Sequence, residues 1–134
     1  MAYEIVQKEQ RVSSIDETVA VSANRRYFHL SSGLLKKYFE DCDFAQIFID
    51  TQPSGRVIRI ALRPLKRAEE NSYLIFRPQD SYTGLVNASK TLAKIGYHNE
   101  EKYTRDTKWQ ERQIKGRKIG VVEFEIERKY AKIK

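Results

Sequence analysis

Two runs of alternating residues separated by a turn give the clearest structural signal: Phe44-Ala45-Gln46-Ile47-Phe48-Ile49-Asp50, then Thr51-Gln52-Pro53-Ser54-Gly55, then Arg56-Val57-Ile58-Arg59-Ile60-Ala61-Leu62-Arg63. β-branched and aromatic residues favour strands, and a short segment containing Pro and Gly between two such runs favours a hairpin. Because side chains alternate along a strand, Ile58, Ile60 and Leu62 share one face, which we expect in the core. Arg59 and Arg63 then point to solvent or to a ligand, and Pro64 is expected to end the strand.

A second hairpin is predicted upstream, from strands at 18–22 and 27–30. The polar turn between them places Arg25 and Arg26 near its tip. Ser31 or Ser32 is suited to cap a short helix, because a serine hydroxyl accepts a hydrogen bond from a free backbone N–H. The apolar residues of this segment recur at helical spacing and predict its buried face: Leu30, Leu34, Leu35, Tyr38 and Phe39.

The second half of the chain is expected to contain two further strands, at 72–77 and 119–126, and one more helix. That helix would be capped by Asn87 and would end at Gly96, which suits the left-handed position after a helix. The remaining segments are predicted to be an N-terminal strand or arm at 1–17, a charged loop at 98–118 and a flexible tail at 127–134. The expected fold class is therefore α+β: one small domain over 1–134, rich in antiparallel hairpins, with two short helices.

Length and composition agree with a globular protein. The 134 residues suffice for one domain, and 40% of them are apolar and 32% charged. With Cys42 as the single cysteine, no intrachain disulfide is available, and we expect a reducing, cytoplasmic location. The N-terminus does not have the pattern of a signal peptide, and no apolar run approaches the ~20 residues that span a bilayer. No membrane association is expected.

Basic residues gather in two stretches that contain no Asp or Glu, Thr18 to Phe39 and Thr51 to Ala68. The net charge is +7, which favours a polyanionic partner such as nucleic acid. The candidate phosphate contacts are the basic residues of these stretches: Arg25, Arg26, Lys36, Lys37, Arg56, Arg59, Arg63, Lys66 and Arg67. The same residues are also consistent with a basic turn and with a solvated strand face whose charges protect an edge.

The segment from Val19 to Lys37, Val-Ala-Val-Ser-Ala-Asn-Arg-Arg-Tyr-Phe-His-Leu-Ser-Ser-Gly-Leu-Leu-Lys-Lys, resembles the opening of swapped-hairpin AbrB-like DNA-binding domains. Those domains run strand, basic turn, strand and short helix, followed by a second hairpin, and the resemblance extends over about Thr18 to Pro64. It implies an intertwined homodimer and a transcriptional regulator that contacts double-stranded DNA through Arg25, Arg26, Lys36 and Lys37. The chain departs from the family in its turn, which has Arg25-Arg26 where a Gly is usual, and at Leu30-Ser31, where Ile-Pro is usual. The whole chain also resembles small prokaryotic and phage proteins to which no function is assigned.

A second candidate surface lies in the segment predicted to be a charged loop. Trp109 stands among polar residues, so that it either attaches the loop to the body or marks a contact surface. With Tyr103, Lys108 and Arg112 it forms a set suited to a protein partner. This supports an alternative function, a protein–protein interaction module or phage accessory factor that binds a host protein without nucleic acid.

No motif in the chain points to catalysis, a metal or a cofactor, and an enzyme is not expected. The chain has two histidines and one cysteine, which do not match zinc-binding spacing. The carboxylates Glu40, Asp41 and Asp43 could hold a divalent cation, but they also suit a solvated turn. They should raise the pKa of the Cys42 thiol and make it a poor nucleophile. The sequence thus favours a small basic nucleic-acid-binding protein, with DNA preferred over RNA.

Overall fold

The computed structural model describes residues 2–4, 16–50, 55–79 and 82–133, and within them the chain forms two helices and nine strands arranged in two antiparallel sheets. This confirms the predicted α+β class with two short helices. The predicted N-terminal arm at 1–17 lies mainly outside the described residues. No helix in the described ranges has the length and apolar character needed to cross a bilayer.

The regular elements follow one another in this order: β1 (Thr18–Val21), β2 (Tyr27–Leu30), α1 (Ser32–Tyr38), β3 (Phe44–Asp50), β4 (Val57–Leu65), β5 (Ser72–Leu74), β6 (Gly84–Asn87), α2 (Ser89–Ile95), β7 (Tyr103–Asp106), β8 (Lys108–Ile114), β9 (Arg117–Glu127) and a final 3₁₀ turn (Arg128–Tyr130). Sheet A has the order β6-β2-β1-β7, and sheet B has the order β5-β3-β4-β9-β8. Both predicted hairpins, β1–β2 and β3–β4, are present.

The core lies between the inner faces of the two sheets and includes both helices. Ile58, Ile60 and Leu62 of β4 are fully buried, as their alternation predicts. Phe28 of sheet A meets Phe124 of sheet B edge to face, with ring centroids 5.3 Å apart. Aromatic pairs favour this geometry because the positive ring edge meets the negative ring face.

Helix α1 begins as predicted, with Ser31 as its N-cap accepting a hydrogen bond from the Leu34 N–H. The Ser31 hydroxyl also accepts from the Thr18 N–H at 3.0 Å, so that it joins the helix start to strand β1. Helix α2 ends at Gly96 in the left-handed conformation, as expected. Its N-cap is Ala88 rather than the predicted Asn87, whose side chain instead accepts from the Ser89 N–H in a turn.

The prediction of a charged loop at 98–118 is wrong over most of its length, since β7, β8 and the start of β9 occupy it. Strand β8 is an edge strand, and polar side chains on an edge are compatible with pairing because solvent reaches them. Its turn to β9 consists of Lys115 and Gly116, both at positive φ (51° and 76°), the conformation of a two-residue hairpin loop. The scarcity of apolar residues concealed this hairpin in the sequence.

The predicted flexible tail at 127–134 is also wrong for its described part. The His98 N–H donates to the carbonyl of Tyr130, and the Lys132 N–H donates to that of Ile95. Tyr130, Ala131 and Ile133 pack against the core. Backbone hydrogen bonds to the loop after α2, which the sequence does not signal, hold the tail in place.

Two strand ends differ from expectation. Strand β4 continues through Pro64 to Leu65, and Pro64 lies opposite Ala45 of β3. Pairing of β4 with β9 stops at Leu62, so that the missing N–H of Pro64 costs no hydrogen bond on that side. The predicted strand at 72–77 is shorter, because β5 ends at Leu74 and Phe76 forms an isolated bridge to Leu85 of β6.

Candidate functional site

A groove of about 570 Å³ lies on the outer face of sheet A. Ala20, His29 and Leu85 come from three adjacent strands and point to this face, as their cross-strand pairing requires. The other lining residues are the last residue of β1, the first residue of β2, and residues of the β1–β2 turn and of the loops that follow β5 and α2: Val21, Tyr27, Ser22, Arg25, Pro78, Thr83, Glu100 and Lys102. The groove thus combines small residues, the aromatic rings of Tyr27 and His29, and the basic side chains of Arg25 and Lys102.

The turn between β1 and β2 is held against the body of the protein. The Ala23 N–H donates to the carbonyl of Asn99 at 2.8 Å, and the Ala88 N–H donates to that of Arg26 at 2.9 Å. Arg26 itself adopts a positive φ of 55°. These bonds join the turn to the segments before β7 and before α2, and so bring Arg25 to the same groove as Lys102 although the two are far apart in sequence.

The electrostatics of the groove favour an anion. Within the described residues, neither Arg25 nor Lys102 takes part in an ion pair, and Glu100 is the one acid that lines the groove. Partial burial lowers the pKa of His29, and the charges of Lys102 and Arg25 lower it further. His29 is therefore neutral at neutral pH and contributes an aromatic surface rather than a charge.

The four basic residues of the first cationic stretch do not form one patch. Arg25 and Arg26 are exposed at one end of hairpin β1–β2. Lys37 lies at the other end, where its ammonium contacts the Glu17 carboxylate at 2.8 Å, a hydrogen bond that raises the lysine pKa. The length of β1 separates the two ends by roughly 15 Å. Lys36 borders a different depression, together with Arg77 and the acidic residues at the end of α1.

The five basic residues of the second stretch are also dispersed. Arg56 precedes β4 and Lys66 and Arg67 follow it, which separates them by roughly 30 Å along the strand. Between them, the Arg59 guanidinium lies 3.9 Å from a carboxylate oxygen of Asp50 and 3.9 Å from a carboxylate oxygen of Glu123. Arg63 lies 3.5 Å from Glu69 and donates to the Gln46 side chain at 3.1 Å. The two arginines on the strand itself are thus largely neutralised by acids from other parts of the chain.

The aromatic residues of the second candidate surface are packed onto the protein. Trp109 stacks on Tyr38 of α1, with ring centroids 5.0 Å apart and planes 5° from parallel, and it covers Gly120. Trp109 thus attaches strand β8, rather than a loop, to the body of the protein, while the residue remains 41% exposed. Tyr103 packs edge to face against Tyr130, and its hydroxyl donates to Glu127 at 3.3 Å.

The two cations of that surface differ. Arg112 donates twice to the Glu123 carboxylate, at 2.8 and 2.9 Å, and this pairing raises its pKa. Lys108 is exposed on the edge strand β8 and has no ion pair among the described residues. The four predicted residues therefore do not form one open binding surface.

The structure also bears on two weaker candidates, a metal site and the thiol of Cys42. No group of three or more His, Cys, Asp or Glu side chains within the described ranges is arranged to hold a metal ion. The pKa of Cys42 is raised, as predicted, but burial is the main cause and the neighbouring Asp41 and Asp43 add to it.

Tyr27, His29 and Lys102 line the groove but were not among the predicted site residues. The alternation of β2 could have identified the first two, because Phe28 and Leu30 are buried and their neighbours must then face outward. No sequence signal links Lys102 to Arg25, since only the folded chain brings them together. Comparisons with protein-family models, with curated proteins and with solved structures found no significant match to this chain.

Proposed function

We propose that the protein binds nucleic acid, with the groove on sheet A as its contact surface. The observation that carries this proposal is the pair Arg25 and Lys102 beside the half-exposed Tyr27, in a groove open to solvent. Guanidinium and ammonium groups without acidic partners bind phosphates, and each contact releases counterions from the nucleic acid. The net charge of +7 attracts a polyanion over longer distances.

Other exposed cations can add to the binding without defining its site. Arg26 and Arg56 are exposed and lack ion pairs within the described part of the chain. Arg56 lies at the same end of the molecule as the groove. Its carbonyl accepts from the Arg128 N–H, and the nearby Tyr130 carbonyl accepts from the His98 N–H, which lies just before the loop that lines the groove. Regulation of transcription through such binding, and dimer formation as the AbrB-like resemblance implies, are parts of the same proposal.

The test is a titration of labelled single- and double-stranded nucleic acid, followed by fluorescence anisotropy at increasing salt. The variant Arg25→Gln with Lys102→Gln should weaken binding several-fold and lower the slope of log K against log salt by about two units, one for each lost phosphate contact. The matched control is Lys115→Asn with Arg117→Gln, which removes the same charge at the far end of β9. An equal effect of both variants, or no binding at low salt, would overturn the proposal.

A protein partner is the second candidate, and one observation favours it. Leu74 and Phe76 are 61% and 57% exposed on neighbouring outward positions beside β6. Exposed apolar side chains of this size are typical of contact surfaces. The two functions differ in their response to salt, since an apolar interface is little affected by ionic strength whereas phosphate contacts are strongly affected.

A further inference from the structure

We propose that the open face of sheet A binds a single-stranded nucleic acid, whose bases stack on Tyr27 and Phe76 while Arg25 and Lys102 contact its phosphates. This inference rests on the proposed function and specifies that the nucleic acid bound in the groove is single-stranded. It differs from the expectation of a double-stranded DNA partner that the sequence alone favours.

The register of the strands places a row of side chains on the same face. Phe76 pairs with Leu85, Leu85 pairs with His29, and His29 pairs with Ala20. Residues directly opposite each other in antiparallel strands project from the same face of a sheet. Tyr27 lies two residues before His29 and therefore also faces outward. The outer face thus carries two aromatic rings that are 57% (Phe76) and 42% (Tyr27) exposed.

The side chain at the β1 end of this row is small. Ala20 is 7% exposed and lines the groove, where a larger side chain at the same position would project into the open space. The groove volume of about 570 Å³ lies in the range of sites that hold small ligands, so that it suits one or two unpaired nucleotides. Stacking on an aromatic ring needs a free base face, and only unpaired bases present one.

The elements that could read a duplex are poorly placed for it. Proteins that read the major groove insert a helix or a two-stranded ribbon into it. Here the turn of hairpin β1–β2 is hydrogen-bonded on both sides to the rest of the chain, from Ala23 to Asn99 and from Ala88 to Arg26. Lys37 at the other end of the hairpin is paired with Glu17. The cations that correspond to the AbrB-like contacts are therefore divided between the two ends of the hairpin. The groove, by contrast, brings cations and aromatic rings together.

The experiment compares a labelled oligodeoxythymidylate, an oligouridylate of equal length and a mixed-sequence duplex with the same number of phosphates. We expect either single strand to bind about tenfold more tightly than the duplex at physiological salt. Tyr27→Ala should raise the Kd for the single strand about tenfold, since stacking on an aromatic ring contributes this much per base. Tyr27→Phe keeps the ring and should bind like the wild type.

Ala20→Leu provides a second test that changes no charge. The added side chain should fill the groove and raise the single-strand Kd about tenfold, whereas the matched Ala20→Ser should leave it unchanged. Thermal unfolding of each variant shows whether it folds. If Ala20→Leu does not fold, Tyr27→Ala provides the test.

Two results would overturn this inference while leaving the proposed function intact: a duplex that binds as tightly as the single strands, or equal Kd values for Tyr27→Ala and Tyr27→Phe. If the wild-type protein binds none of these nucleic acids at low salt, the proposed function itself is overturned. The salt series and the ring variants therefore report separately on the phosphate contacts and on stacking.

Discussion

The outer faces of the two sheets both carry cations, but Arg59 and Arg112 of sheet B are paired with acids, whereas Arg25 and Lys102 beside sheet A are not paired within the described residues. On sheet B, Arg112 forms a two-bond pair with Glu123, and Arg59 lies near Glu123 and Asp50. Apolar side chains of the same face gather around Ala61 and Val121. On sheet A, Arg25 and Lys102 border a groove and have no ion pairs among the described residues.

The difference depends on whether a cation lies within a paired strand or in a turn or loop. A cation within a strand has cross-strand neighbours on the same face, and an acid among them can pair with it. Arg59 and Arg112 are of this kind, and Glu123 lies between them on β9. A cation in a turn or loop has no such fixed neighbour and stays available to a ligand. A run of basic residues in a sequence thus does not by itself predict a basic surface.

The largest expected effect concerns the structural role of sheet B. A side chain at Gly120 would collide with the Trp109 ring, which is held in turn by Tyr38. We expect Gly120→Val to lower the free energy of unfolding by about 2 kcal/mol, because overpacking forces the ring from its position. Urea denaturation measures the change. Gly55→Ala is the control, since an added Cβ there meets nothing within 4 Å, and its stability should match the wild type.

The second prediction concerns Glu123, whose side chain is 10% exposed and neutralises the outer face of sheet B. Glu123→Gln should lower Tm by about 5 °C, because the paired carboxylate is lost. It should also release Arg59 and Arg112 and make nucleic-acid binding several-fold tighter with a steeper salt dependence. Differential scanning fluorimetry and anisotropy measure these effects.

The control for Glu123→Gln is Glu70→Gln, which removes the same charge from an exposed connector. Affinity that rises equally in both variants would show that net charge alone matters. In that case the contrast between the two faces would not explain the binding.

A smaller effect is expected when a paired cation is removed. Arg59→Gln should change the Kd for nucleic acid by less than about twofold and leave the slope against log salt unaltered, because its charge is already compensated by acids. Arg25→Gln in the same titration should lower that slope by about one unit. A larger loss for Arg59→Gln than for Arg25→Gln would contradict the assignment of the groove.

The smallest effect concerns pH. The pKa of His29 is lowered in the folded protein by burial and by Lys102 and Arg25, while Glu100 and Tyr27 also border its groove. The neutral imidazole therefore contributes stability above pH ~6.5, the ordinary histidine value, and this contribution is lost as pH falls through the lowered folded pKa. Stability should thus fall between neutral and mildly acidic pH, and less steeply in His29→Gln. Equal pH profiles from urea titrations would contradict this.

Much of the fold could be predicted from local sequence patterns. The alternation of Ile58, Ile60 and Leu62 identified the inner face of β4, and the helix cap was narrowed to Ser31 or Ser32, of which Ser31 is the cap. Strand β8 could not be recognised, because an edge strand with polar side chains lacks the apolar alternation on which such predictions depend. Of the candidate site, Arg25 was predicted, whereas Lys102 was placed in a loop and His29 was not assigned to a site.

The sequence by itself determined the β1–β2 and β3–β4 hairpins, the two helices and the excess of positive charge, since these depend on periodicity, capping and composition. Only the tertiary structure decided which cations are free. Glu123 neutralises two arginines from other strands, and the bonds from Ala23 and Ala88 bring the β1–β2 turn to the loop that carries Lys102. The physical reason is that charge pairing and groove formation depend on long-range strand register, which local residue patterns do not specify.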